Sequence, residues 1–166
     1  MQDTLLEGNA MQVISNHGFA EVRYNLQSKQ NTLVAMKDFR SGEVISSFSP
    51  GVIKNTPDYL TVQIGVDVHI TLQPEFLQYI NHSCEPNAFF DTTTMELIAL
   101  TDIKENKEFS FFYPSTEWAM AQPFYCYCGS KSCLQNIQGA SFFTPSQLIN
   151  YKFTDFIKSQ LTSTNR

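Results

Sequence analysis

No stretch of this sequence approaches the roughly 20 consecutive apolar residues that a helix needs to cross a bilayer. Met1 to Ala10 shows no basic region followed by an apolar one, so no secretory signal is visible. The expectation is an intracellular protein, cytoplasmic or, in a eukaryote, nuclear, with no membrane partner. Basic residues are in deficit: 11 Lys and Arg against 16 Asp and Glu, a net charge of −5. Nucleic-acid binders carry a basic face, so direct nucleic-acid contact is not expected. An acidic surface suits a basic partner, although mild acidity also simply aids solubility. Cysteine is scarce, with only Cys84, Cys126, Cys128 and Cys133. Disulfides are rare inside cells, where four cysteines point instead to a metal site. There is no internal repeat, no low-complexity segment and no linker long enough to divide domains.

What remains is a chain of 166 residues, 42% hydrophobic and 13% aromatic, with 14 phenylalanines. That suits one globular domain with a real core. Phe19 to Leu26 alternates as a strand, and Ser28 to Asn31 reads as a polar turn. Short apolar runs at Leu33 to Met36 and Val44 to Phe48 flank a turn at Arg40-Ser41-Gly42. Pro50, Gly51, Asn55 and Pro57 mark a loop. Thr61 to Ile64 and Val68 to Leu72 form a hairpin about Gly65-Val66-Asp67. Pro74 and Glu75 open one or two helical turns ending near Ile80. Ala88 to Asp91 and Met95 to Leu100 bracket a Thr-rich turn, and Glu108 to Phe112 is a further strand. Near the C-terminus, Thr144 is an N-cap with Pro145 at the first helical position. Leu148, Ile149, Phe153, Phe156 and Ile157 then fall on one face of one helix. The expected class is mostly β, with short helices and a C-terminal helix.

Two stretches carry chemistry. Cys126-Tyr127-Cys128 and Cys133 form a C-x-C-x4-C cluster, three thiolates close enough to converge on one ion. Tetrahedral Zn²⁺ takes a fourth ligand, either Cys84 or one of His17, His69 and His82. The bland alternative is four unrelated buried thiols. The second stretch is Asn81-His82-Ser83-Cys84-Glu85-Pro86-Asn87, polar groups crowded directly behind Tyr79-Ile80. It reads either as a proline turn or as a ligand-binding loop tied to a metal by Cys84.

Asn81 to Asn87 resembles the N-H-S-C-x-P-N signature of SET-domain methyltransferases. Lys107-Glu108-Phe109-Ser110-Phe111-Phe112-Tyr113 is similar to that family's second signature, a strand ending in a catalytic tyrosine. Cys126 to Cys133 resembles its post-SET zinc motif, C-x-C-G-S-x-x-C. These motifs agree in order and spacing and span about residues 30 to 138. Ser41-Gly42-Glu43 matches an early family strand more loosely. The family's Gly-x-Gly turn is replaced by Gln30-Asn31-Thr32, and Gln78 stands where an Arg is frequent.

The resemblance implies a SET fold of small sheets with a pseudoknot-like threading of the Asn81 segment. It implies a 1–29 N-terminal extension packed on the core, a 30–115 SET domain, a 116–138 post-SET segment and a 139–166 helical tail, all in one unit. It implies S-adenosylmethionine as methyl donor and a lysine on another protein, such as a basic histone tail, as acceptor. Tyr113 would be catalytic, and Phe111 with Tyr113 would line the substrate channel. Asn81, His82 and Tyr79 would contact the cofactor. Cys84, Cys126, Cys128 and Cys133 would hold a structural Zn²⁺. Trp118 and Phe124 are divided evenly between pocket and packing, and His69 reads as an ordinary surface or core histidine. The competing class is a catalytically silent module that binds a basic peptide or partner.

Overall fold

A computed structural model describes residues 10–164. The N-terminal alternation builds an antiparallel sheet of β1 (Met11–Asn16), β2 (Ala20–Asn25) and β3 (Gln30–Ala35), in that order. The sequence reading missed β1, because its alternation is weak and Val13 and Ile14 are exposed on an edge strand. β3 begins at Gln30, so the expected polar turn lies earlier and the Gly-x-Gly equivalent is paired strand, with Tyr24 opposite Asn31.

β4 (Val44–Ser47) is followed at once by β5 (Ser49–Lys54), where a loop was expected. Pro50 and Gly51 are tolerated because β5 is an edge strand with an irregular register between Pro50 and Ile53. β6 (Val62–Gly65) and β7 (Val68–Gln73) form the expected hairpin, and the sheet order is β5-β7-β6. Glu75–Tyr79 is a 3₁₀ turn that buries Leu77. It delivers the chain to β8 (Asn81–His82).

β9 (Ala88–Asp91) and β10 (Glu96–Ala99) pair as expected, and β4 completes their sheet. The expected strand at Glu108 to Phe112 is reduced to β11 (Ser110–Phe111), which pairs in parallel with β8. That pairing places Asn81 and His82 beside the approach to Tyr113, the closeness that the expected crossing requires. β12 (Phe124–Tyr125) and β13 (Asn136–Ile137) close the cysteine-bearing segment as a small ribbon.

The expected single C-terminal helix is two. α1 (Pro145–Leu148) starts on a capping box between Thr144 and Gln147, as the sequence indicated, but stops within four residues. α2 (Asp155–Thr164) restarts after Thr154, whose Oγ1 accepts from Ile157 N–H. Tertiary packing overrides helical periodicity here. Tyr151 stacks on Phe112 at 3.8 Å between ring centroids and donates its hydroxyl hydrogen to the Cys84 carbonyl at 2.7 Å. Leu148, Phe153 and Ile157 are buried as expected, whereas Ile149 is 76% exposed.

The phenylalanine excess is spent in the core. Phe19–Phe39, Phe39–Phe109, Phe48–Phe90 and Phe90–Phe111 meet edge to face. Such pairs contribute about 0.5–1.5 kcal/mol each beyond burial. This rigid wall sits behind the segment that leads to Tyr113. One glycine is indispensable to the packing of that region. Gly139 has φ +121°, and a Cβ there would meet Trp118 O at 2.5 Å. Gly139→Ala is expected to lower stability by more than about 1 kcal/mol, read as a lower urea midpoint at unchanged slope.

Candidate active site and metal centre

The parallel pair β8–β11 brings two distant segments to one point. His82 Nδ1 accepts a hydrogen bond from Tyr113 N–H at 3.1 Å. That bond assigns the imidazole proton to Nε2, which lies 3.3 Å from Cys84 Sγ and donates to it. His82 is thus a strut between the tyrosine segment and the cysteine cluster. Burial pushes its pKa down to about 4, so it is neutral at pH 7. Asn81 donates its side-chain amide to Asn31 O at 3.0 Å, tying β8 to β3.

A cavity of about 680 Å³ opens beside this junction. Asn81, Tyr79, Phe111, Tyr113 and Phe124 line it, as do Gln30 and Asn31 of the Gly-x-Gly equivalent. A volume of that size holds a nucleoside-sized ligand. Strand alternation turns Phe111 and Phe112 apart: Phe111 faces the cavity 4.7 Å from the Tyr113 ring, while Phe112 stacks on Tyr151. The Tyr113 hydroxyl donates to Ile80 O at 3.3 Å. Burial pushes its pKa up to about 12, so the phenol stays protonated. With its hydrogen engaged on Ile80, its lone pairs remain as acceptors.

Trp118 packs into the C-terminal cluster and not into this cavity, while Phe124 joins the cavity wall. His69 is buried with Nδ1 unpaired, and burial lowers its pKa. The sequence reading missed two acids that line the cavity, Asp58 and Glu117. Glu117 is 7% exposed. In the sequence it is only a lone acid between Tyr113 and Met120, which reads as surface.

The Sγ atoms of Cys84, Cys126, Cys128 and Cys133 lie within 4.8 Å of one another. All four are free thiols. The chain converges on them through Leu134 N–H to Cys84 Sγ and Cys128 N–H to Cys126 Sγ, both 3.4 Å. Burial raises the thiols of Cys84 and Cys126, the latter to about 11. Desolvation acts on Cys128 as well, but hydrogen bonds, first that from the Ser130 backbone, bring it down to about 7. A cation bound among four sulfurs this close would favour all four as thiolates. The donor set fits tetrahedral Zn²⁺ with every position filled by protein.

A model of the SET domain matches residues 30–114. A protein named Methyltransferase flvH, from Aspergillus flavus, is 37% identical over 123 residues, 73% of this chain and 68% of that protein. A Histone-lysine N-methyltransferase, H3 lysine-36 specific, from Kluyveromyces lactis is 28% identical over 104 residues. These are 58% of this chain but 14% of that enzyme, so the chain spans only a small part of it. A solved structure of ctPRC2, in an autoinhibited conformation bound to S-adenosylmethionine, overlaps 66% of this chain and 18% of that one. Its identity of 17% and TM-score of 0.41 make that overlap too loose to add to the case.

Proposed function

This chain belongs to the SET-domain family, and we propose that it transfers a methyl group from S-adenosylmethionine to a lysine amine on another protein. The single observation that carries the reading is that Asn81 and Tyr113 meet at the wall of one cavity, with His82 bonded to the Tyr113 backbone behind them. When bound, the cofactor supplies a methyl group on a cationic sulfonium. Everything else is asked of the protein's own residues.

A lysine amine, with an ordinary pKa of about 10.4, must arrive neutral to accept a methyl group. Walls of Phe111, Tyr113 and Phe124 disfavour the charged form by desolvation. Tyr113, protonated and with its hydrogen given to Ile80 O, presents oxygen lone pairs that orient the amine hydrogens. Asn81 and His82 hold the cofactor side: the amide fixes the Asn31 carbonyl, and the imidazole fixes the Tyr113 backbone. Tyr79 gives that side an aromatic wall. Asn81→Ala frees β8 from β3 and is expected to weaken S-adenosylmethionine binding at least about tenfold. Isothermal titration of the variant reads this directly.

Phe111 has no hydroxyl to hold water or the amine, so a methylated, bulkier amine still fits among rings that favour cations. The expected product at long reaction times therefore carries more than one methyl group. Phe111→Tyr is expected to shift the product toward the monomethyl form, as read by mass spectrometry of product peptides. The four cysteines, with Zn²⁺ bound, pin the segment from Phe124 to Ile137 beside the cavity.

The acceptor protein is tested by labelled methyl transfer to a panel of histones and to cell lysate, with mass spectrometry of the modified site. A silent module that binds a basic partner is the second reading. The observation favouring it is that Gln30, in place of the first glycine, and its neighbour Asn31 line the cavity. Labelled product with any acceptor excludes it.

A further inference from the structure

Glu117 lines the cavity but has no part in the proposed chemistry. Its side chain is buried, lines the cavity, and leaves Oε1 with no hydrogen-bond partner. Among the described residues no Lys or Arg forms an ion pair with it. The other acid of the cavity wall, Asp58, is already paired with Lys54, and its carboxylate accepts from Leu60 N–H at 2.8 Å. Burial, with a smaller push from Asp58, raises the Glu117 carboxyl to about 9. The Gln63 backbone N–H reaches the carboxyl and offsets part of that rise, but a buried Oε1 left without a partner at a cavity wall is a costly arrangement unless something that enters the cavity completes it.

The completing group is a cation: it draws the neutral acid into its carboxylate form, whose oxygens only accept, and the neighbouring Asp58 is itself negative and repels an anion. That cation is not the nitrogen to be methylated. A carboxylate in contact with that nitrogen would raise its pKa and keep it protonated, against the reaction. We propose that Glu117 receives a second nitrogen of the substrate that stays protonated, so that the cavity selects dicationic amines over monocationic ones. The inference rests on the methyltransferase reading for the first amine. On binding, the Glu117 carboxyl proton leaves to solvent, and the carboxylate then pairs with the ammonium or guanidinium. Two sources share this chemistry: a basic residue next to the target lysine, and a small diamine. The net charge of −5 suits either.

The test is equilibrium binding by isothermal titration, with no methyl transfer required. The probes are hexylamine, 1,6-diaminohexane and a capped Ala-Lys-Arg-Ala peptide, each with wild type and Glu117→Gln, and S-adenosylmethionine is titrated separately. Wild type is expected to bind at least one dicationic probe at least tenfold more tightly than hexylamine, and whichever probe gains identifies the source. Binding releases a proton at pH 7.5, seen as a dependence of the heat on buffer ionisation. Glu117→Gln is expected to erase both the preference and the proton release, while S-adenosylmethionine affinity stays within twofold. A preference that survives the substitution overturns the proposal. So does a loss of S-adenosylmethionine affinity, which would assign Glu117 to the cofactor. The variant is expected to fold, since a neutral amide of the same shape replaces a carboxyl held neutral, and an unchanged melting temperature checks this. Glu117→Asp, which keeps the charge but withdraws it by one methylene, is expected to restore part of the preference. If wild type shows no S-adenosylmethionine binding at all, the methyltransferase reading fails while the cation preference is still read independently.

Discussion

Tyr113→Phe is expected to leave S-adenosylmethionine affinity within twofold of wild type and to reduce methyl transfer by roughly 10²-fold or more, the range seen when a positioned proton-handling group is removed. The reasoning separates two kinds of contact. The Tyr113 ring packs against Phe111, His82 and Phe124, and the Phe ring keeps all of that. Only the hydroxyl is lost. It gives one hydrogen bond to Ile80 O, worth about 1 kcal/mol of stability. Its lone pairs are the acceptors that would aim the amine, an interaction needed when the nitrogen is aligned for attack. A fall in kcat with KM nearly unchanged is therefore the expected pattern. Because burial holds the phenol pKa up at about 12, no titration of Tyr113 is expected below pH 10. Any loss of rate on the alkaline side of neutrality belongs to another group.

Cys84→Ser is expected to do more damage than any other single substitution of the site. Cys84 is at once a member of the four-sulfur cluster, the acceptor of the His82 Nε2–H bond and, through its carbonyl, the anchor of Tyr151. The serine oxygen is a poor thiolate substitute, so bound zinc should fall from one per chain to near zero by elemental analysis. Structural zinc contributes on the order of 10 kcal/mol to the folding of small metal-bound segments. Beyond the short β12–β13 ribbon, residues 124–137 are held by Ile137, Phe124 and Leu134 packing around the cluster itself. Hydrogen exchange should therefore accelerate there first, while β9 and β10 stay protected. Methyl transfer is expected to fall with zinc occupancy. A chelator that removes zinc from wild type should reproduce the same exchange pattern.

Much of this arrangement could be read from the amino-acid sequence because its signals are local and chemical. Cys126, Cys128 and Cys133 announce a cluster by spacing, and Cys84 joins it in space. Asn81 to Cys84 and Phe111 to Tyr113 carry family motifs, and the β8–β11 pair does bring them together. What escaped was decided by tertiary contacts. The helix expected through Ile149 breaks because Tyr151 is worth more stacked on Phe112 than continuing a helical face. β5 was hidden by Pro50 and Gly51, which signal a loop except on an irregular edge strand. β1 was hidden because an edge strand with both faces partly wet has no clean alternation. Glu117 escaped for a different reason. A lone acid in a sequence reads as surface, and only the closure of the chain around Gln63 and Thr116 shows it to be buried.

The central claim is that the cavity beside Asn81, His82 and Tyr113 uses S-adenosylmethionine even though Gln30 and Thr32 stand in place of the glycines of the Gly-x-Gly turn. Isothermal titration of the zinc-loaded protein with S-adenosylmethionine tests this most directly. Saturable binding is predicted, at one molecule per chain, weakened at least about tenfold by Asn81→Ala and nearly unchanged by Tyr113→Phe. No detectable binding to folded, zinc-loaded protein, or binding indifferent to Asn81→Ala, would contradict it.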